Sequence, residues 1–199
     1  MLCFIVLIKK TKTMKKLLVI MVAAVALAFG SVQQASAQND NGGLGARLGG
    51  GDLLGAELSY LTKVDADNRW ELDLGVGDVR YWHTDNAGVD HLHHGLFLGF
   101  TGSYQWHWNI VSGFNWFVGP AAQVNTIIAD SNHSDISLGV GAQIGLEYDF
   151  LTDLDVPLQL SLDLRPMAHF YLLGHYKPAN DLYQYFGWGV ALGVRYIFH

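Results

Sequence analysis

The chain has 199 residues, half of them hydrophobic and only 15% charged, with 23 glycines, 4 prolines and 1 cysteine. This excludes a disordered polar chain and a disulfide-stapled mini-protein, and glycine in such excess over proline is neither low complexity nor a collagen repeat. The formal net charge of −6 argues against a nucleic-acid binder, which presents a basic face to phosphate.

The chain divides after residue 37. Met14-Lys15-Lys16 is a basic start, Leu17 to Phe29 is a 13-residue run without a charge, and Ala35-Ser36-Ala37 places small residues at cleavage positions before Gln38. Residues 1–37 therefore read as a secretory signal peptide, with Met1 to Thr13 as an upstream extension. The apolar run is shorter than the roughly 20 residues a spanning helix requires. Five lysines leave with this leader, so residues 38–199 hold seven basic and eighteen acidic side chains, a net charge of −11, and no cysteine for disulfide or thiolate chemistry.

From residue 43 onward the hydrophobic pattern has period two, not 3.6. Alternating runs bounded by turn residues predict eight strands at 43–50, 54–62, 69–81, 94–107, 113–125, 136–149, 157–169 and 184–198. The connections at 63–68, 108–112 and 150–156 are short. Those at 82–93, 126–135 and 170–183 are longer, and only 51–53 is tight at that end. An even number of antiparallel strands with short turns at one end and longer loops at the other describes a transmembrane β-barrel. The expected fold is thus all-β, an eight-stranded antiparallel up-and-down transmembrane barrel occupying residues 38–199.

Which face is apolar decides between lipid and water. All six tryptophans are even-numbered and share their face with Leu, Val, Ile, Phe and Tyr, whereas the odd positions carry Gly, Ser, Gln and charge. The interior of an eight-stranded barrel is just wide enough for side chains and would not hold so many large ones. Facing lipid, the same residues need no partner, and Trp70, Trp106, Trp116, Trp188, Tyr196 and Phe198 fall near strand ends as an interfacial girdle. The other face carries Arg47, Glu57, Glu71, Asp73, Glu147, Asp163, Arg165 and Arg195. Three guanidiniums and five carboxylates inside a narrow barrel should pair, because a buried unpaired charge costs several kcal/mol. The expected result is a polar, largely plugged lumen; the alternative is a gate or narrow path for small solutes whose ion pairs rearrange.

These features resemble the small eight-stranded outer-membrane β-barrel proteins of Gram-negative bacteria. The resemblance rests on the leader ending Ala35-Ser36-Ala37-Gln38, the alternating strands, and the last strand Gly193-Val194-Arg195-Tyr196-Ile197-Phe198-His199. It implies residence among outer-membrane lipids as a monomer, and recognition of the last strand by the outer-membrane assembly machinery. Phe198 is penultimate, where that class usually ends on its aromatic. Tyr104 to Trp108 and Phe114 to Pro120 also look like small outer-membrane proteins of the Bacteroides group, a likeness that carries no activity.

Two clusters invite chemistry. His91, His93 and His94, with Asp90, fall in the expected loop 82–93 and are candidate zinc or copper ligands, although their spacing fits no fixed helical site and no cofactor is expected. Asn132-His133-Ser134-Asp135 with Glu147 invites comparison with outer-membrane lipid A deacylases, whose His and Ser are separated by one residue. Here they are adjacent and would point to opposite sides of a strand. Lipid A palmitoyltransferases share only the expected fold, and fold does not imply function. Pro120 and Pro166 interrupt ladder donors and are expected to mark bulges or kinks. The reading is a structural or surface-interaction barrel that is not an enzyme; a narrow pore, a lipid-modifying enzyme and a soluble ligand-binding barrel are the alternatives.

Overall fold

Strand follows strand wherever the sequence alternates. The computed structural model describes residues 42–51, 54–84, 90–128, 135–172 and 186–198, so the expected leader 1–37 lies outside the described residues. The strands are β1 (Gly43–Gly51), β2 (Leu54–Lys63), β3 (Asn68–Thr84), β4 (Asp90–Val111), β5 (Phe114–Ile128), β6 (Asp135–Asp149), β7 (Leu158–Tyr171) and β8 (Phe186–Ile197). Each pairs antiparallel with its neighbour in the chain, and β8 returns to β1 to close the barrel. Closure leaves no strand edge unpaired, which a lipid environment requires because no water is there to satisfy it.

One parity runs around the whole barrel. Odd residues pair with odd and even with even, from Gly43↔Leu61 to Leu158↔Tyr196. The exception is Val111↔Phe114, beyond a bulge at Asn109/Val111 where the chain turns. Opposed residues share a face, so a single rule sorts the side chains. The buried polar set includes Arg47, Ser59, Glu71, Gln105, Gln143, Asp163 and Arg195, all odd, whereas exposed Leu48, Leu58, Leu74, Val140, Leu162 and Leu192 are all even. Leu48 is 66% exposed while Arg195 is 0% exposed. This inverts the usual distribution of a water-soluble protein, in which charged groups are almost never fully buried.

Several connections differ from expectation. β3 and β4 run longer than their alternation predicts, with 17 and 22 residues, so positions 82–84 and 90–93 of the expected loop 82–93 lie in strands. Backbone pairing between the two strands continues past the apolar stripe, which ends where Asp78 and Leu96 pair. The connection expected at 108–112 is a two-residue turn, Ser112-Gly113, with Ser112 at φ 46°. A β-only reading also missed a short helix, α1 (Phe150–Leu154), between β6 and β7. It forms because the Asp149 side chain accepts from Leu151 N at 2.9 Å as an N-cap and Asp155 adopts the left-handed conformation that stops it.

The prolines do not shift register. On the β4–β5 seam pairing passes from Ser103↔Ala121 to Trp106↔Val118 across Pro120, and on the β6–β7 seam from Gly141↔Met167 to Ile144↔Leu164 across Pro166. Each proline interrupts one seam while its other seam stays paired, Pro120 with Ala142 and Pro166 with Trp188. A missing N–H affects only the side toward which it would have pointed, so the expected bulges are ladder gaps.

Candidate functional site: the charged barrel interior

Inward-facing polar residues of seven strands meet in two linked layers. In the first, Arg47 of β1 donates to Glu57 of β2, to Asp163 of β7 and, at 2.9 Å, to Asp73 of β3. Arg165 of β7 approaches Glu57 at 3.3 Å and donates to the same Asp73. Arg195 of β8 donates to Glu71, to Ser59 at 3.1 Å and to Ser161 at 2.9 Å. Glycine makes this possible: a Cβ on Gly193 would lie 2.4 Å from Ser161 Oγ and 3.1 Å from Arg47 Cγ.

The second layer lies nearer the short-turn end. Arg69 of β3 makes a two-point pair with Glu147 of β6 (2.8 and 2.5 Å), and its guanidinium carbon sits 4.9 Å from the centre of the Phe117 ring. His107 bonds the same Glu147 at 2.8 Å. Gln105 joins the layers, accepting from Arg69 Nε at 2.6 Å and donating to Glu71, while Gln143 donates to Glu71 at 3.2 Å. Glu71 is the junction of both layers and is 0% exposed. Removing a guanidinium would leave its carboxylate partner buried without a counter-charge, which is costly.

All eight expected network residues thus face inward, and the expectation was incomplete. It omitted Arg69, which the predicted boundary placed at the first residue of its strand, although its odd number puts it on the face of Glu71. It also passed over the uncharged members Ser59, Ser103, Gln105, Gln143 and Ser161, for which odd parity was again the available signal.

Above the first layer, toward the long-loop end, a cavity enclosing about 570 Å³, counting the space that opens to solvent, reaches Arg47, Glu57, Asp163 and Arg165. Its other walls include Phe97, Gln123, Met167 and His169 on one side and Gly49, Gly55, Gly187 and Gly189 on the other. The glycine wall follows from register: Gly49 pairs with Gly55, Gly187 opposes Met167, and Gly189 opposes Arg165. Four buried atoms of the first layer have no hydrogen-bond partner: Arg47 Nε, Arg165 Nε, Asp73 Oδ1 and Asp163 Oδ2.

The aromatic residues form a band concentrated at the short-turn end. Trp70, Trp106, Tyr196 and Phe198 are exposed there, Trp116 is half-buried, and Trp188 stands toward the opposite end. The rings touch in sequence along the rim: Trp70 meets Tyr104 edge-on at 5.1 Å, Tyr104 meets Trp106 at 5.8 Å, and Trp108 stacks on Trp116 at 4.7 Å.

The histidines are not in a loop. His91, His93 and His94 lie within β4, opposite His83, Tyr81 and Arg80 of β3. The side chains of His91 and His93 lie outside the described residues, and exposed His94 bonds Asp78 at 2.9 Å. Among the described residues, no group of three or more histidine, cysteine, aspartate or glutamate side chains is arranged to hold a metal ion. His133 and Ser134 also lie outside them, while Glu147 is engaged by Arg69 and His107.

No family model matches the chain, and no curated protein sequence matches it. Among solved structures it is similar to Neisserial surface protein A (NspA), with 11% identity over 78% of this chain and 94% of that one and a TM-score of 0.49. It is also similar to the Yersinia pestis outer membrane protein Ail, determined in a phospholipid bilayer nanodisc, with 13% identity over 79% of this chain and 100% of that one and a TM-score of 0.44.

Proposed function

We propose that the chain is an outer-membrane barrel whose lumen is plugged by its ionic network and whose role is structural or surface-interacting, exercised at the long-loop end. The observation that carries this reading is the inversion of burial: leucine, valine and tryptophan cover the outside while Arg47, Arg195 and Glu71 are enclosed. An apolar exterior with aromatic rims suits lipid, and closed barrels and helices are the only structures whose backbone tolerates lipid. No helix among the described residues is long and apolar enough to cross a membrane. Its partners are outer-membrane lipids and, through β8, the assembly machinery of that membrane; it acts as a monomer, without nucleic acid and without catalysis.

Cell fractionation followed by planar-bilayer recording tests this. The expected result is recovery in the outer-membrane fraction, heat-modifiable migration in a detergent gel, and no steady conductance. Recovery in the soluble periplasmic fraction would overturn the membrane reading. A second reading, a narrow pore for small solutes, is favoured by the cavity that reaches the first charged layer from the long-loop end. Steady conductance altered by Arg195→Ala would establish it in place of the plug. Changed lipid A acylation in cells carrying the protein, measured by mass spectrometry, would establish an enzyme.

A further inference from the structure

On one side of the barrel the outward apolar stripe does not stop at the aromatic rim. Trp106 pairs with Asn68, the first residue of β3, yet the even-numbered face of β4 continues through Trp108 to Ile110. Ile110 and Val111 are 52% and 63% exposed, and Leu154 of α1 and Val156 after it are exposed as well. The two connections are tied together: Ser112 and Tyr148 donate to Asp153, and Asp149 N donates to Gly113 O at 2.8 Å. Polar groups here are answered from within. Asn109 Nδ2 donates to Ser112 O at 2.5 Å, Asn115 Nδ2 donates to Gly113 O at 3.1 Å, and Asp149 caps Leu151 N. The β2–β3 turn at the same end differs, with Asp65, Ala66 and Asp67 exposed beyond Trp70.

We propose that the β4–β5 turn and α1 together form a lipid-docking surface, seated in the boundary between headgroups and acyl chains of the leaflet at the short-turn end, while the β2–β3 turn stays in water. The inference rests on the lipid-facing reading of the exterior and adds where the barrel rim engages the leaflet. Continuity identifies the occupant. Ile110 prolongs the face of β4 that carries Leu96 and Trp106, with only Trp108 between Trp106 and Ile110 on that face, whereas a protein-binding patch is bounded by a polar rim. Exposed apolar side chains beside tryptophan suit that boundary, where amphipathic rings also sit. Residues 108–117 and 149–158 hold no lysine or arginine and include Asp149, Asp153 and Asp155, so attachment comes from apolar burial and not from attraction to anionic headgroups. Hydrogen bonds closed within the two connections lower the cost of leaving bulk water.

The test places an environment-sensitive fluorophore on single cysteines in the full chain carrying Cys3→Ser, refolded into phosphatidylcholine vesicles and checked by heat-modifiable migration. Val111→Cys and Leu154→Cys report on the proposed surface, Ala66→Cys on the β2–β3 turn and Leu162→Cys on the apolar band; Ile110→Cys and Val156→Cys serve if either of the first two does not fold. The expected result at Val111→Cys and Leu154→Cys is blue-shifted emission, protection from aqueous iodide relative to Ala66→Cys, and stronger quenching by lipids spin-labelled near the headgroup than by lipids labelled deep in the chain. Leu162→Cys separates two failures. Deep-lipid quenching there, with the Val111→Cys and Leu154→Cys probes open to iodide and untouched by lipid, would overturn the docking surface and leave the lipid-facing exterior standing. Absence of lipid quenching at every position would overturn both. Blue-shifted emission that lipid does not quench and that fades as the protein is diluted in lipid would assign the surface to a second copy of the chain and overturn the lipid assignment.

Discussion

Arg69 and Glu147 are 78 residues apart in sequence and meet across the barrel interior, on β3 and β6, through two parallel hydrogen bonds of 2.8 and 2.5 Å. Such a fork-to-fork pair is the strong form of a charged hydrogen bond. Its desolvation cost is nonetheless large, so its principal effect is to make each partner dependent on the other.

Removing one partner should therefore cost more than removing both. Arg69→Met leaves Glu147 with His107 alone and is expected to destabilise the barrel by about 3–5 kcal/mol. The double variant Arg69→Met with Glu147→Leu should recover most of that loss. Urea unfolding in lipid vesicles, arranged as a double-mutant cycle, measures the coupling. Equal and additive losses would show that the pair does not act as a unit.

The lipid face should discriminate sharply by position. Leu162 is 51% exposed and lies opposite Leu192 near the middle of the apolar band. Leu162→Arg is expected to cost about 2–4 kcal/mol in a bilayer, the midplane value for such a charge. Val64→Arg, in the exposed turn between β2 and β3, should change stability little. Equal tolerance at both sites would contradict lipid exposure.

Interior glycines should resist enlargement that exterior ones accept. A Cβ at Gly145 would lie 2.4 Å from Phe117 Cζ, 2.8 Å from Asp163 Cβ and 2.8 Å from the Leu162 carbonyl oxygen. Gly145→Ala is expected to cost about 1–3 kcal/mol through overpacking. A Cβ at Gly102 would meet only Leu72 Cδ2 at 3.6 Å, so Gly102→Ala should be neutral or stabilising by about 0.5–1 kcal/mol. Unfolding midpoints of the two variants in the same micelle make the comparison.

At the short-turn end, Asp153 of α1 accepts a hydrogen bond from Ser112, in the neighbouring turn, and another from Tyr148 at 2.5 Å. These bonds, that of Ser112 foremost, hold the Asp153 carboxyl below its ordinary range. Because the folded value is the lower one, the contribution to stability is present above the unfolded value and is lost as pH falls through the folded value. Carbon-detected NMR titration should show Asp153 ionising at lower pH than a free aspartate, and Ser112→Ala should move it upward. No movement in Ser112→Ala would remove the hydrogen bond as the cause.

Much of the fold was legible because period two is a direct consequence of strand geometry. The even-numbered Leu158, Leu160, Leu162 and Leu164 announce both a strand and its lipid face. Less legible were the strand ends. Backbone pairing of β3 with β4 continues beyond the apolar stripe, placing His91 and His93 in a strand where composition suggested a loop. Helix α1 was missed because five residues are too few for periodicity, and its N-cap, Asp149, also closes a strand.

By itself, then, the sequence determined which residues share a face, since parity along each strand is local and survives without knowledge of any neighbour. It could not determine partners. That Arg195 reaches Glu71 and Ser59, that Arg69 crosses to Glu147, and that Gly49 and Gly55 pair to hollow one wall of a cavity were decided only by closure and register. These depend on how far each strand slides against the next, which no single strand encodes. The charged layer itself appears only after that closure, when seven side chains from five strands meet in one interior.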